Sequence, residues 1–512
     1  MLPAMFRLPR LFLLLLATAI SGLDSSAAEK RTPNFIVINI DDLGYADIGP
    51  FGSTNKTPHL DRMAKEGRKL TSHYAAPVCS PSRASLMTGC YPKRVLPIPH
   101  VLFPASAVGL SGAEETVAEV LKSAGYATAC IGKWHLGDQP EFLPTSQGFD
   151  SYFGIPYSND MGTAAEGSKS NWGVPVPTPK PGNAKGTESD ETGLKGMSQP
   201  PLPLVENDKV VGRIRAEEQL AVTRRYTEKA VEFIRAQKDK PFFLYMPHTA
   251  VHFPLYPSDA FRGKSPNGLL GDWIQEVDWS VGQVLETLRD LKLAENTLVI
   301  FTSDNGGSLT HGSNNQPLRG TKGQTLEGGI RVCTLAWWPS HIPAGTETGS
   351  ITSMMDILPT FASLAGTAPS SGHKIDGVDI SEVLLGKQET RETRDAFYYF
   401  RGLNLHAVRS GDWKLHLAIP EAQAGKKKAA SPPKLQLYNL ADDIGEAKNL
   451  AEDKPEVVQR LQALVQKMKD DLGLEGVGPG CRDLGRAKTA EPFIHHDGTV
   501  RTNAIGAQKT FP

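Results

Sequence analysis

The chain has 512 residues, of which 39% are hydrophobic and 22% charged, and its formal net charge is −1. That size and apolar content suit one large domain or two smaller ones with an ample core. The near-neutral balance and the lack of a long basic run argue against a nucleic-acid partner.

Residues 1–28 carry a targeting pattern. Arg7 and Arg10 precede the apolar run "LFLLLLATAI", and small residues follow up to Ala28. A positive start, an apolar stretch and a small-residue cleavage site predict a secretory signal peptide. The apolar run is short for a bilayer span, so an uncleaved anchor is the weaker alternative. Export is predicted, to a periplasm, to the outside or along a lysosomal route, with no membrane span after signal removal.

Next come the core elements. "NFIVINI" (Asn34–Ile40) is continuously apolar and β-branched, which predicts a strand buried on both faces. "TVAEVLKSAG" then "YATACIG" predicts helix then strand. From Ala216 to Gln237, Tyr226, Ala230, Phe233 and Ile234 recur at helical spacing. "PFFLYM" (Pro241–Met246) predicts a strand. Ile274, Val277, Val281, Val284, Leu285 and Leu288 mark another helix, and "TLVIFTS" (Thr297–Ser303) another strand. This alternation predicts an α/β fold: a large domain with a mixed, mostly parallel central sheet flanked by helices.

Two stretches break the rhythm. Residues 162–207 are rich in Pro, Gly, Lys and Ser and predict a long surface insertion. Beyond about Gly386, "DAFYYF", "HAVRSGDWKLHL" and "KLQLYNL" predict short antiparallel strands. A helix is expected from about Pro455 to Asp471, with Val458, Leu461, Val465 and Met468 on one face. The predicted organisation is a signal peptide (1–28), a main domain (29–385) and a smaller C-terminal subdomain with tail (386–512). Lys426, Lys427 and Lys428 read as a solvated loop, and the His495-His496-Asp497 cluster as a solvated tail.

The five cysteines are Cys79, Cys90, Cys130, Cys333 and Cys481, with no framework spacing. Cys130 and Cys333 sit in predicted strands as small core residues. No disulfide is predicted.

Ligand sites of α/β sheets form beyond the carboxyl ends of strands. Asp41 and Asp42 follow the first strand, and Asp304 and Asn305 follow "TLVIFTS". Oxygen-only donors suit a hard cation such as Ca²⁺ or Mg²⁺. Turn formation is the alternative, weakened because two such pairs occur at two strand ends. Lys133 and His135, in "GKWHLG", point together if that segment is extended. His248 and His252 sit four apart in "HTAVHFP". The preceding strand and the Thr249 after His248 argue against a helical zinc pair. Lys322 lies in the Gly-rich "LRGTKGQTLEGGIRV". "CSPSRASLMTG" predicts a helix with Cys79 at its N-terminus, Pro81 in the first turn and Gly89 at the end. An anion fits at that N-terminus, with Arg83 one turn later. A buried structural cysteine and a thiolate nucleophile remain as alternatives.

Taken together, these stretches resemble the type I sulfatases of the alkaline phosphatase superfamily. "CSPSRASLMTG", "DDLGYADIG", "GKWHLG", "SDNGG" and "GTKGQTLEGGIR" match that family's blocks in order. "GIPYSNDMG" and "FFLYMPHTAVHFP" look like the arylsulfatase A and N-acetylgalactosamine-6-sulfatase branch. The similarity spans about Thr32 to Asp471. The resemblance implies that a formylglycine-generating maturation enzyme oxidises Cys79 to Cα-formylglycine, whose hydrate supplies the attacking oxygen. It implies that Asp41, Asp42, Asp304 and Asn305 bind a divalent cation, Ca²⁺ in the first place and Mg²⁺ as the other option, with residue 79 beside it. Arg83 would stabilise the hydrated aldehyde, and His135 would assist it and the later release of sulfate. Lys133, Ser158, His252 and Lys322 would bind the sulfate group, with His252 and Lys322 protonating the leaving oxygen. Cys90 stands where the family usually has Arg, and His248 gets no role. The expected substrate is a sulfated saccharide or aryl sulfate. A phosphoryl or phosphonate monoester hydrolase and a non-catalytic secreted calcium-binding protein are the competing readings.

Overall fold

The computed structural model describes Met1 and residues 32–175, 189–388, 393–417 and 434–512. The predicted signal segment, the 176–188 part of the insertion and the Lys426–Lys428 cluster lie outside the described residues.

Five parallel strands occupy the middle of an 11-stranded sheet. Their spatial order is Thr297–Ser303, Asn34–Ile40, Phe242–Pro247, Ala127–Ile131, Ser151–Gly154. Antiparallel strands flank them: Arg331–Trp337 and Arg68–Tyr74 on one side, Leu202–Glu206 and Lys209–Ile214 on the other. The sheet is thus mixed and mostly parallel, as the alternating elements predict.

Why the first strand reads as one apolar run is plain from its two faces. Phe35 and Val37 enter one core cluster; Ile36, Ile38 and Ile40 enter another across the sheet. Alternate residues point to opposite faces, so both sets must be apolar. Phe35 stacks on Phe361 of the helix Ile357–Leu364, with centroids 4.3 Å apart. On the other face lie Tyr226, Ala230 and Ile234 of Val222–Ala236, and Val277, Val281 and Val284 of Gly268–Asp290. Each of the valine, isoleucine and phenylalanine side chains among them contributes about 1.5–3 kcal/mol on burial.

The C-terminal region forms a separate four-stranded antiparallel sheet of Phe397–Arg401, Asn404–Ser410, Trp413–His416 and Gln436–Asn439. The helix Pro455–Asp471 buries Val458, Leu461, Val465 and Met468, the four residues of the predicted face.

Three sequence expectations change. The predicted 216–237 helix is two, Ala216–Gln219 and Val222–Ala236, separated at Leu220 and Ala221. The 162–207 segment is not wholly a surface excursion, because Leu202–Glu206 joins the main sheet as a largely buried strand. The C-terminal tail is not simply solvated. Gly485–Arg486 pairs with Val108–Gly109, and Phe493 and Ile494 enter the main core. Asp497 Oδ1 there accepts from the N–H and hydroxyl of Thr499, closing a turn. All five cysteines are free, with Cys130 and Cys333 buried in strands as predicted.

Candidate active site

The first two strands end level with each other. Ile40 pairs with Ser303, and the Asp304 N–H donates to Ile40 O at 3.0 Å, so Asp41 and Asp304 leave the sheet side by side. The chain leaving Phe242–Pro247 runs alongside: Asp41 N donates to Ala250 O at 2.9 Å, and Val251 N to Asp41 O at 2.8 Å. That pairing carries His252 to the same place. Asp42 holds φ at 61°, a left-handed conformation uncommon outside glycine.

The turn-forming alternative for these carboxylates is weakened by what holds the turns. Ser303 Oγ accepts from Leu43 N at 3.1 Å, and Asp47 Oδ2 accepts from Gly44 N at 2.8 Å. Asp41, Asp42 and Asp304 spend their oxygens chiefly on cationic side chains. Gly306 explains how tightly the site loops pack, since a Cβ there would lie 1.9 Å from Gly328 O.

Cys79 opens the helix Cys79–Thr88, all ten residues of which are buried, and Gly89 caps its end. The thiol donates to Asp41 Oδ1 at 3.2 Å. Arg83 reaches Asp304 Oδ2 through Nε (3.0 Å) and Nη2 (2.7 Å), and donates from Nη1 to Lys133 O at 2.5 Å. Lys133 is ion-paired with Asp41. Burial, Asp304 and Asp41 push the Cys79 thiol well above its ordinary value, against Lys133 and Lys322. A helix N-terminus offers about 0.3–2 kcal/mol in the other direction and loses. This environment works against a free thiolate at Cys79, the reverse of what a helix N-terminus alone would do.

The opposite wall holds Lys322 and His252. Lys322 Nζ lies 2.7 and 2.9 Å from the two oxygens of Asp42. His252 Nε2 lies 3.7 Å from Asp42 Oδ2, and its Nδ1 is 3.3 Å from Ser158 Oγ. His135 lies at φ 66° beyond the strand end, so its segment is not extended as predicted, yet it still comes to this cluster. Trp134 packs away, buried, with its indole N–H on Phe142 O at 2.7 Å. His135 Nε2 meets Leu102 O at 2.9 Å, which fixes the proton there and leaves the buried Nδ1 without a partner. Burial, Lys133 and Arg83 hold His135 well below its ordinary value, so the ring is neutral.

Charge is balanced and still unequal from group to group. Burial alone would raise Asp41, but Lys133, His252, Arg83 and Lys322 overcome it and hold that carboxyl well below the usual range. Burial and Asp41 raise Asp304, outweighing Arg83 and Lys133. Lys322 is raised well above its ordinary value because Asp42, Cys79 and Asp41 outweigh burial.

A divalent cation fits this donor set. Ligand atoms of Asp41, Asp42, Cys79 and His252 all lie within 4.8 Å of one another. Asn305 donates through Nδ2 to Asp42 Oδ1 at 2.8 Å and Gly306 O at 3.0 Å, while its buried Oδ1 has no partner. A buried amide oxygen aimed nowhere is costly unless something accepts its lone pairs.

All eleven predicted site residues thus gather around one cluster, directly or through one another. His248 does not join it; its Nε2 is 3.3 Å from Ser280 Oγ in the core, and burial lowers its pKa to about 4. Cys90 is filled in by Arg482 from the tail, whose Nη2 lies 3.1 Å from the sulfur and 2.8 Å from Glu114 Oε2. Sequence reasoning missed Asp160, two residues after Ser158. Its Oδ1 is buried without a partner, and burial is overcome by His252, Lys169 and Lys133 to hold it low. The quoted "GIPYSNDMG" contained the signal. His311, stacked on Phe253 with centroids 4.7 Å apart, had none.

The comparisons agree with this architecture. A model of the family described as Sulfatase matches residues 33–367, and one described as the C-terminal region of aryl-sulfatase matches 392–476. N-acetylgalactosamine-6-sulfatase of Canis lupus familiaris is 38% identical over 425 residues, covering 79% of this chain and 75% of that protein. Arylsulfatase A of Homo sapiens is 38% identical over 494 residues, covering 91% of each. The crystal structure of Ps i-CgsB superposes with a TM-score of 0.70 at 31% identity, over 86% of this chain and 93% of that one. The phosphonate monoester hydrolase of Agrobacterium radiobacter, at 19% identity and TM-score 0.57, shares the fold over 85% of this chain and 95% of that one. The chain belongs to the sulfatase family, enzymes that hydrolyse sulfate esters. That family generally relies on a formylglycine and a divalent metal.

Proposed function

We propose that this protein hydrolyses a sulfate ester on a saccharide, with Cys79 converted to Cα-formylglycine and Ca²⁺ as its cation. The observation that carries the reading is Cys79 itself, a buried thiol at a helix N-terminus, hydrogen-bonded to Asp41 inside a cluster of acidic and basic side chains. When bound, the cation supplies Lewis-acid polarisation of the sulfate, and the hydrated formylglycine supplies the nucleophilic oxygen. Asp41, Asp42, Asp304 and Asn305 hold the cation. Three carboxylates face Arg83, Lys133 and Lys322, so a dication leaves the site positive, suited to an anion gaining charge.

Arg83 fixes Asp304 and steadies the hydrated side chain at position 79. Lys133 and Ser158 hold sulfate oxygens. Lys322 protonates the departing alcohol oxygen, together with His252, which faces Phe253 O through Nδ1 and donates from Nε2 in its doubly protonated form. His135, neutral and protonated at Nε2, takes a proton at its free Nδ1 as sulfate leaves. The saccharide preference draws on the N-acetylgalactosamine-6-sulfatase relatives and on the solved complex of Ps i-CgsB with k-i-k-neocarrahexaose, 30% identical. Maturation by a formylglycine-generating enzyme and export follow from "CSPSR" and from the N-terminal pattern. No helix among the described residues is long and apolar enough to cross a membrane.

The test is sulfate release by the matured protein across sulfated saccharides and an aryl sulfate, with an aryl phosphate as control. Release from one saccharide class is expected. Faster turnover of the phosphate would overturn the reading in favour of phosphoryl transfer.

A further inference from the structure

The loop that carries Lys322 is not held by the main domain alone. Within that domain, Lys322 N donates to Gly307 O at 3.2 Å and Gly323 N to Pro77 O at 2.8 Å. The following residues are gripped by the C-terminal sheet and the loop after it. Lys414, fully buried on strand Trp413–His416, donates from Nζ to Thr325 O at 2.9 Å and to Glu327 Oε1 at 2.8 Å. Glu446, also fully buried, accepts from Glu327 N at 2.8 Å through Oε2 and pairs with Lys414 at 2.9 Å through Oε1. Its carbonyl accepts from Arg319, three residues before Lys322. His416 braces Glu446 at 2.7 Å. The remaining valences of Glu327 are filled by the hydroxyls of Tyr74 (2.5 Å) and Tyr399 (3.1 Å).

Both flanks of the Lys322 loop are therefore tied to the C-terminal region, Arg319 to the main-chain carbonyl of Glu446 and Thr325 and Glu327 to the side chains of Lys414 and Glu446. We propose that Lys414, braced by Glu446, is a positioning residue that sets where Lys322 stands against the departing oxygen. The C-terminal subdomain then takes part in turnover by fixing the geometry of a proton donor on the main domain. Holding a donor in place is worth most when the leaving group is a poor one, because only then must the oxygen be protonated as the bond breaks. This rests on the proposed role of Lys322.

The experiment is a leaving-group series: kcat and kcat/KM on aryl sulfates of graded phenol pKa and on an alkyl or saccharide sulfate. It is run on the full matured protein, on Lys322→Ala, and on Lys414→Met, Lys414→Arg and Glu446→Gln. Lys414→Met is expected to lose about tenfold to a hundredfold in kcat on the poor leaving groups. On the best leaving group it should stay within about twofold, as for a donor that is no longer needed. Lys414→Arg should recover most of the loss. If Lys414→Met does not fold, Glu446→Gln, which keeps an acceptor for Glu327 N, should show the same selective loss in milder form. A selective loss in Lys322→Ala with equal effects on all leaving groups in the Lys414 and Glu446 variants would overturn the positioning role alone. No selectivity in Lys322→Ala would overturn the proton-donor role of Lys322, and the inference with it.

Discussion

Two buried charge clusters lie five residues apart along one loop, one at Lys322 and one at Glu327, and they are finished differently. In the first, Asp41, Asp42 and Asp304 face Arg83, Lys133 and Lys322, yet Asn305 Oδ1 and His135 Nδ1 remain buried without partners. In the second, Glu327 and Glu446 meet Lys414, Arg331 and His416, with two tyrosine hydroxyls added, and their carboxylate and ammonium atoms are all satisfied. Burial and charge are alike in both. What separates them is that the first keeps two neutral acceptor atoms, Asn305 Oδ1 and His135 Nδ1, unpartnered beside its paired charges, while the second keeps none.

The sharpest way to break this comparison is to remove the side chain at the heart of the open cluster. Cys79→Ala should lower turnover by on the order of 10⁴-fold or more while the protein still folds, because the lost thiol is small and the core lies elsewhere. A folded Cys79→Ala protein with native turnover would end the assignment. Asp304→Ala should strip the purified protein of its bound divalent cation, read by elemental analysis. Unchanged metal content would show that this carboxylate is not a ligand.

The saturated cluster should respond in stability. Glu327→Gln leaves Lys414 and Arg331 short of a buried counter-charge and should cost about 3–5 kcal/mol in denaturant unfolding. A loss below about 1 kcal/mol would mean the cluster is not a structural clamp. A smaller effect should come from His248, which lies near the site in sequence but in the core in space. Burial lowers its pKa from the ordinary value of about 6.5 to about 4. Below pH 6.5 the unfolded chain binds a proton that the folded chain refuses, so stability drops as pH falls from 6.5 toward 4, by about 3 kcal/mol. His248→Gln should flatten that part of the stability profile. An equal acid slope in both proteins would contradict it.

What the sequence made legible was what local pattern can carry. "NFIVINI" announces a strand because both faces are covered, so five of its seven residues are apolar, while the two asparagines bond to neighbouring strands, Asn34 to Thr297 and Asn39 to Tyr245. Pro455–Asp471 was readable to its ends because apolar residues recur on one helical face. The metal-like pairs were legible because each directly follows a strand. Leu202–Glu206 was hidden by its Pro203 and its polar approach; the strand pairs with Ser151–Gly154 only through Val205 and Glu206, which leaves the proline outside that ladder. The break at Leu220 and Ala221 interrupts a stretch whose apolar spacing never falters. Lys414 and Glu446 gave no signal, since their partner Glu327 is far away in the chain and only the folded structure joins them. The unpartnered Oδ1 of Asn305 is likewise a fact of packing that no spacing encodes.

The central claim is that turnover resides in a modified Cys79. The most direct test is the mass of the peptide spanning Cys79, measured beside sulfate release on preparations matured to different extents. The account predicts that turnover rises in proportion to the fraction of position 79 converted to formylglycine and extrapolates to zero at no conversion. Full turnover in protein whose Cys79 is wholly unmodified would contradict it.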